Sequence, residues 1–193
     1  MNENFTMVAK CLFGFETLLA KELRQLGATD VKEGVRNVSF VGDNGFMYKA
    51  NMALRTAIRI LKPIRKFKVR NEDDLYRQLQ YIKWERYLNT EDTFAIHATS
   101  SSETFTHSHY LALKSKDAIA DYFRNKFGKR PNVDLKHPSL HINIHIQRDL
   151  CSVSLDSSGD SLHKRGYRSA TNIAPINEVL AAGLVLLLSL IHI

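Results

Sequence analysis

The chain is poor in the residues that staple or interrupt small proteins. Two cysteines, Cys11 and Cys151, among 193 residues exclude the dense disulfide framework of small secreted domains. Each lies in a strand-like alternation (Met7, Ala9, Cys11; Cys151, Val153, Leu155), so both read as buried thiols in a reducing compartment. None of the nine glycines falls two positions from another, which excludes the Gly-X-Gly turn that cradles a nucleotide; there is no P-loop and no Gly-X-Ser-X-Gly elbow either. There is no Pro-Pro pair among the four prolines. No apolar run reaches the roughly 20 residues of a usual membrane span. The most apolar stretch, residues 179–188, reads instead as a buried helix. Glu3, Lys10, Glu16 and Lys21 break up any signal-peptide core, so the expected location is the cytoplasm. Acid is short as well: 20 Asp+Glu stand against 27 Lys+Arg, a net charge of +7. That excess favours an anionic partner, nucleic acid first and an anionic membrane second.

What is present reads as alternating strands and helices. Residues 5–11 alternate as a strand. Phe15, Leu18, Leu19, Leu23 and Leu26 then form an apolar helical stripe, closed by Gly27. Strands are expected near 31–33 and 35–41 with Gly34 as the turn, then a helix over 46–54. Extended segments over 58–69 are expected to break at Pro63. The order βαββαβ is the ferredoxin-like arrangement, a small antiparallel sheet with helices on one face. Asn71 reads as an N-cap, with Asp73 and Asp74 in the first turn of a helix that buries Leu75, Leu79 and Ile82. Tyr81, Trp84 and Tyr87 follow. Aromatics beside cations can stack bases, but Trp84 reads first as a core anchor.

Phe94, Ile96 and Ala98 alternate along a strand. A polar loop leads from it to a helix marked by Ala112, Ile119, Phe123 and Phe127, which Gly128 and Pro131 stop. Residues 140–147 and 151–155 share a period of two and form a hairpin turning at Arg148-Asp149. Residues 157–175 have the composition of a basic linker, and Pro175 suits the first turn of the apolar helix.

Three basic groups are candidate phosphate contacts. The strip 55–70 carries Arg55, Arg59, Lys62, Arg65, Lys66, Lys68 and Arg70 with no acid inside it. The helix end carries Arg124, Lys126, Lys129 and Arg130. The linker carries Lys164, Arg165 and Arg168, and Lys114 and Lys116 form a weaker pair. Each group has a plainer reading: solvated cations that discourage edge pairing, or a last turn that complements the helix dipole. No metal site is expected. His141 and His145 share a strand face but lie about 13 Å apart at roughly 3.3 Å per residue, too far for one ion.

The segments CLFGFETLLAKELRQLGA, DLYRQLQYIKWERYL, FAIHATSSS, FTHSHYLALKSKDAIADYFRNKFGKRPNVD and VSLDSSGDSLHKRGYR occur in an order that resembles the THUMP-domain RNA methyltransferases. The likeness points to bacterial enzymes that methylate guanine N2 in large-subunit rRNA. It spans residues 5–188.

The resemblance implies an α+β chain. A ferredoxin-like domain over 1–44, whose closing strand returns near 58–69, is followed by a THUMP RNA-binding domain over 45–156. A linker and the first helix of a Rossmann-like methyltransferase domain occupy 157–193. It also implies S-adenosylmethionine as methyl donor, but neither the glycine-rich loop nor the Asn-Pro-Pro-Tyr type motif of such a domain is in this sequence. No catalytic or cofactor residue is therefore carried over. The expectation is a piece that binds RNA without catalysing, with residues 190–193 departing from the family and the missing domain covering 179–188. The competing expectation is a stand-alone RNA-binding adapter.

Overall fold

The computed structural model describes residues 3–166 and 175–188. The chain divides into two compact units, Met1–Lys62 with Ser157–Ile193, and Pro63–Asp156.

The first unit is built as β1 (Phe5–Lys10), α1 (Glu16–Leu26), β2 (Thr29–Gly34), β3 (Asn37–Gly42), α2 (Asn44–Ala53) and the start of β4 (Arg59–Lys68). Its strand order is β2-β3-β1-β4, with every pair antiparallel, the ferredoxin-like arrangement expected from the sequence. Met7, Ala9, Val38, Phe40 and Ile60 face Leu19, Leu23 and Ala50 in a closed core. Gly27 ends α1 at φ 100°, a left-handed position that suits glycine. The Asp43 carboxylate accepts the Phe46 N–H at 2.7 Å and starts α2.

Two local expectations are corrected. The β2–β3 turn is Val35-Arg36, with Arg36 in the left-handed region at φ 58°; Gly34 is the last residue of β2. Pro63 does not break β4. The pairing of β4 with β1 ends at Leu61, so β1 requires no amide hydrogen from position 63.

Residues 157–165, read above as linker, are fastened to this unit. The Ser157 N–H donates to the Ile60 carbonyl at 2.9 Å and the Leu162 N–H to Ile58 at 2.8 Å. The Ser158 hydroxyl accepts the Ile60 N–H at 2.8 Å, and Leu162 packs on the core. The apolar helix, α5 (Glu178–Leu187), is capped by Asn177, whose side chain accepts from Val179 and Leu180. Pro175 precedes that cap instead of entering the first turn. Gly183 lies so close to Phe15 that a Cβ there would fall 2.1 Å from the ring, and this fixes α5 against the start of α1. Leu180, Leu184, Val185, Leu187 and Leu188 remain exposed.

The second unit holds the rest of β4, α3 (Glu72–Gln80), a short 3-10 turn (Trp84–Arg86), β5 (Thr93–Ser101), α4 (Ser108–Phe127), β6 (Asn132–Val133), β7 (Leu140–Gln147) and β8 (Leu150–Asp156). β5 runs parallel to β6 and β7, and β7 forms the expected antiparallel hairpin with β8. Asn71 caps α3 by accepting the Asp74 N–H at 2.8 Å. Ile142, Ile144, Ile146, Cys151 and Val153 meet Leu75, Leu79 and Ile119 in the core, with Trp84 fully enclosed among them. The Trp84 indole N–H donates to the Leu79 carbonyl at 2.8 Å.

The buried stripe of α4 is Leu111, Ser115, Ala118, Ile119 and Phe123. Phe127 shares the helical spacing but is exposed in the last turn, just before the Gly128 cap. Both cysteines are buried and unpaired. Burial pushes each thiol up to about 12, with Glu16 adding to the effect at Cys11.

Candidate nucleic-acid interface

The strip from Arg55 to Arg70 is not a uniform row of free charge. Arg55 donates from Nε to the buried Glu22 carboxylate at 2.9 Å. The same carboxylate accepts the Thr56 N–H at 3.1 Å and the Thr56 hydroxyl at 2.6 Å. Arg59 donates to the Gly159 carbonyl at 3.1 Å. Lys62 sits over the Phe5 ring, 3.8 Å from its centroid, a cation–π contact. Arg65 donates to the Tyr81 carbonyl at 3.2 Å, and Lys68 lies 3.6 Å from Asp149. Among the described residues, the side chains of Lys66 and Arg70 are exposed with no carboxylate at ion-pair distance.

The helix-end group divides the same way. Arg124 pairs with Asp121 at 2.7 Å and Lys126 with Glu85 at 2.7 Å, while Lys129 and Arg130 are exposed past the end of α4 with no such partner among the described residues. Lys114 pairs with Asp73 at 3.0 Å and Lys116 with Asp117 at 2.9 Å. These are largely exposed pairs that a polyanion can exchange at little cost.

Lys126 and the Tyr122 hydroxyl both donate to Glu85, which holds its carboxyl down at about 2 against an ordinary 4.5. Because the folded value is depressed, this contribution is complete above the unfolded value and is lost as pH falls through about 2. Lys126 is raised by the same contact. Its share is complete below its ordinary 10.5 and disappears as pH rises through the raised value. Lys126→Ala is expected to move the Glu85 titration up toward 4.5, read by NMR from its carboxyl carbon. An unmoved titration would mean that Tyr122 alone sets it.

Arg165 is turned inward. Its guanidinium donates to Leu162, Met52 and Leu54 carbonyls at 2.9, 2.8 and 2.6 Å, closing the carboxyl end of α2. Arg165→Ala is expected to cost about 1–3 kcal/mol, measured by urea denaturation. Arg165→Lys should recover only part of that, because an ammonium lacks the planar fork. Lys164 is exposed, and Arg168 lies outside the described residues.

The sequence reading missed two cations, Lys83 and Arg86, which flank Trp84. With Arg65, Tyr81 and Tyr87 they line a cleft of about 550 Å³, mouth included. The signal was local: in IKWERY the burial of Trp84 directs its neighbours outward. His97, Asn143, Thr99 and His145 interlock on the polar face of β5 and β7, with Thr99 Oγ1 2.9 Å from His145 Nδ1. Among the described residues no group of three or more His, Cys, Asp or Glu side chains could hold a metal ion, and no helix is long and apolar enough to cross a membrane.

A ferredoxin-like unit joined to an α/β unit with this strand order defines a class, and sequence comparison agrees with the fold. Residues 6–61 match the RlmL ferredoxin-like domain and residues 69–156 the THUMP domain. The chain thus carries a ferredoxin-like domain of the RlmL type followed by a THUMP domain. It is 41% identical over 181 residues to a Synechocystis sp. protein named as a candidate RNA methyltransferase, slr0064, covering 94% of this chain and 46% of that one. It is 42% identical over 173 residues to the ribosomal RNA large subunit methyltransferase K/L of Syntrophotalea carbinolica, covering 90% of this chain and 24% of that one. The crystal structure of SMU.472, a candidate methyltransferase complexed with SAH, superposes with a TM-score of 0.81 at 31% identity, over 97% of this chain and 49% of that one. The chain thus spans a quarter to a half of the length of these proteins.

Proposed function

We propose that this chain is the RNA-holding portion of an S-adenosylmethionine-dependent methyltransferase that modifies guanine N2 in large-subunit rRNA in the cytoplasm. The observation that carries the reading is the pairing of a RlmL-type ferredoxin-like domain with a THUMP domain in one chain, alongside a net charge of +7.

Structured RNA is held mostly through phosphates, 2′-hydroxyls and shape, a task that suits exposed cations such as Lys66, Arg70, Lys129, Arg130 and Lys164. The paired Lys68, Lys114, Lys116 and Arg124 are a second rank that can trade a carboxylate for a phosphate, while Lys126 stays with Glu85. Among the described residues, the strand-to-helix connections hold Gly14, Gly159 and Gly166, with no Gly-X-Gly spacing. The methyl donor therefore has no fit among these residues, and its site belongs to a further domain. The exposed apolar side chains of α5 are the surface we assign to that domain.

The test is a titration of the chain with rRNA at several salt concentrations. Contact with Z phosphates should give a log–log slope of roughly −0.7Z to −0.9Z, whereas a salt-insensitive or absent interaction would remove RNA as the ligand. Mapping methylated guanosines made by the full-length protein then tests the base and the atom. RNA binding with no methyl transfer at guanine would favour the stand-alone adapter.

A further inference from the structure

We infer that the cleft between β4 and the turn after α3 seats one unstacked nucleotide of the bound RNA. This rests on the reading that RNA is the ligand. Arg65, Lys83 and Arg86 line the cleft, and no carboxylate does. Glu85, the only acid in the IKWERY run, is taken up by Lys126 and Tyr122. Arg65 is already oriented by its bond to the Tyr81 carbonyl, which leaves other donors of its fork for a ligand. Lys83 and Arg86 are exposed and have no ion-pair partner among the described residues.

The aromatic component is Tyr81, a large ring left 68% exposed at the C-cap of α3, with Tyr87 on the same cleft over an apolar floor of Ile64 and Ile82. Cations neutralise a phosphate, while an exposed ring stacks on any base. Another cleft of this unit, beside Arg70 and Arg148, lacks this character because Glu103 and Asp149 also line it.

The test uses the whole chain and a short RNA hairpin, either blunt or carrying a single-stranded extension of a few uridines, with affinity read by fluorescence anisotropy across salt. The extension should tighten binding by about tenfold through stacking. Tyr81→Ala should erase that gain and Tyr81→Phe should keep it. Replacing Lys83 and Arg86 together by Ala should lower the salt slope on the extended RNA by about 1.4. If the parent chain binds both RNAs and Tyr81→Ala retains the preference with the slope of the double variant unchanged, the cleft is not the seat and the RNA reading stands. If the parent chain binds neither RNA at any salt, the RNA reading fails and the seat with it.

Discussion

Trp84→Ala is expected to lower the stability of the chain by about 3–5 kcal/mol. The ring is completely enclosed, so its removal leaves a void that neighbours on α3 and α4 fill only in part. The indole bond to the Leu79 carbonyl goes with it, stranding an acceptor in a dry place. Against a typical total of about 5–15 kcal/mol, that loss is a large share of the stability of a domain. Trp84→Phe separates the two contributions, keeping most of the apolar area and losing the hydrogen bond. Urea denaturation followed by circular dichroism measures both variants. An alanine variant within about 1 kcal/mol of the parent would mean that Trp84 does not anchor this core, because a surface substitution costs no more than that. The same loss should weaken RNA binding, since Trp84 holds the turn that presents Lys83 and Arg86.

Glu22→Ala should cost about 2–4 kcal/mol. Glu22 lies on the inner face of α1, 7% exposed, and satisfies the Arg55 guanidinium, the Thr56 hydroxyl and the amides of both residues. Thr56 is fully buried, so without the carboxylate its N–H and O–H have neither water nor another acceptor. The ion pair with Arg55 contributes little of this, because Arg55 is half in solvent. Glu22→Gln retains one acceptor oxygen and should lose roughly half as much. RNA affinity provides the contrast: freeing Arg55 of its carboxylate should leave binding equal or stronger in the fraction that remains folded. A variant as stable as the parent would show that the Arg55–Thr56 turn finds other acceptors.

The hairpin at Arg148-Asp149, the Asn71 cap, the stripe of α1 and the enclosure of Trp84 were all legible in the sequence, because each depends on residues within about one turn or one hairpin of one another. The Val35-Arg36 turn was not. Glycine is the usual occupant of a left-handed position, and here arginine takes it while Gly34 stays extended. β5 runs on through Ser101, past its apolar alternation, because β7 pairs with it residue by residue as far as Gln147.

The charge pattern was the least legible. No acid lies within four positions of Lys126 in sequence, yet Glu85 reaches it from 41 residues away. Asp73 likewise meets Lys114 across 41 residues, and Glu22 meets Arg55 across 33. A local window records an unbalanced cation wherever its partner is distant. Lys83 and Arg86 were passed over for the opposite reason: Glu85 between them makes the local charge look balanced, although its carboxylate is spent elsewhere.

The sealed sulfurs of Cys11 and Cys151, 4% and 0% exposed, make the chain a ready spectroscopic scaffold. Maleimide dyes and nitroxide tags react with accessible thiolates, so a lone cysteine engineered at position 66 or 129 would take the probe against an almost silent background. Distances from such tags to a labelled RNA could then be collected without first stripping out the native sulfur, and without the packing defects that doing so would introduce.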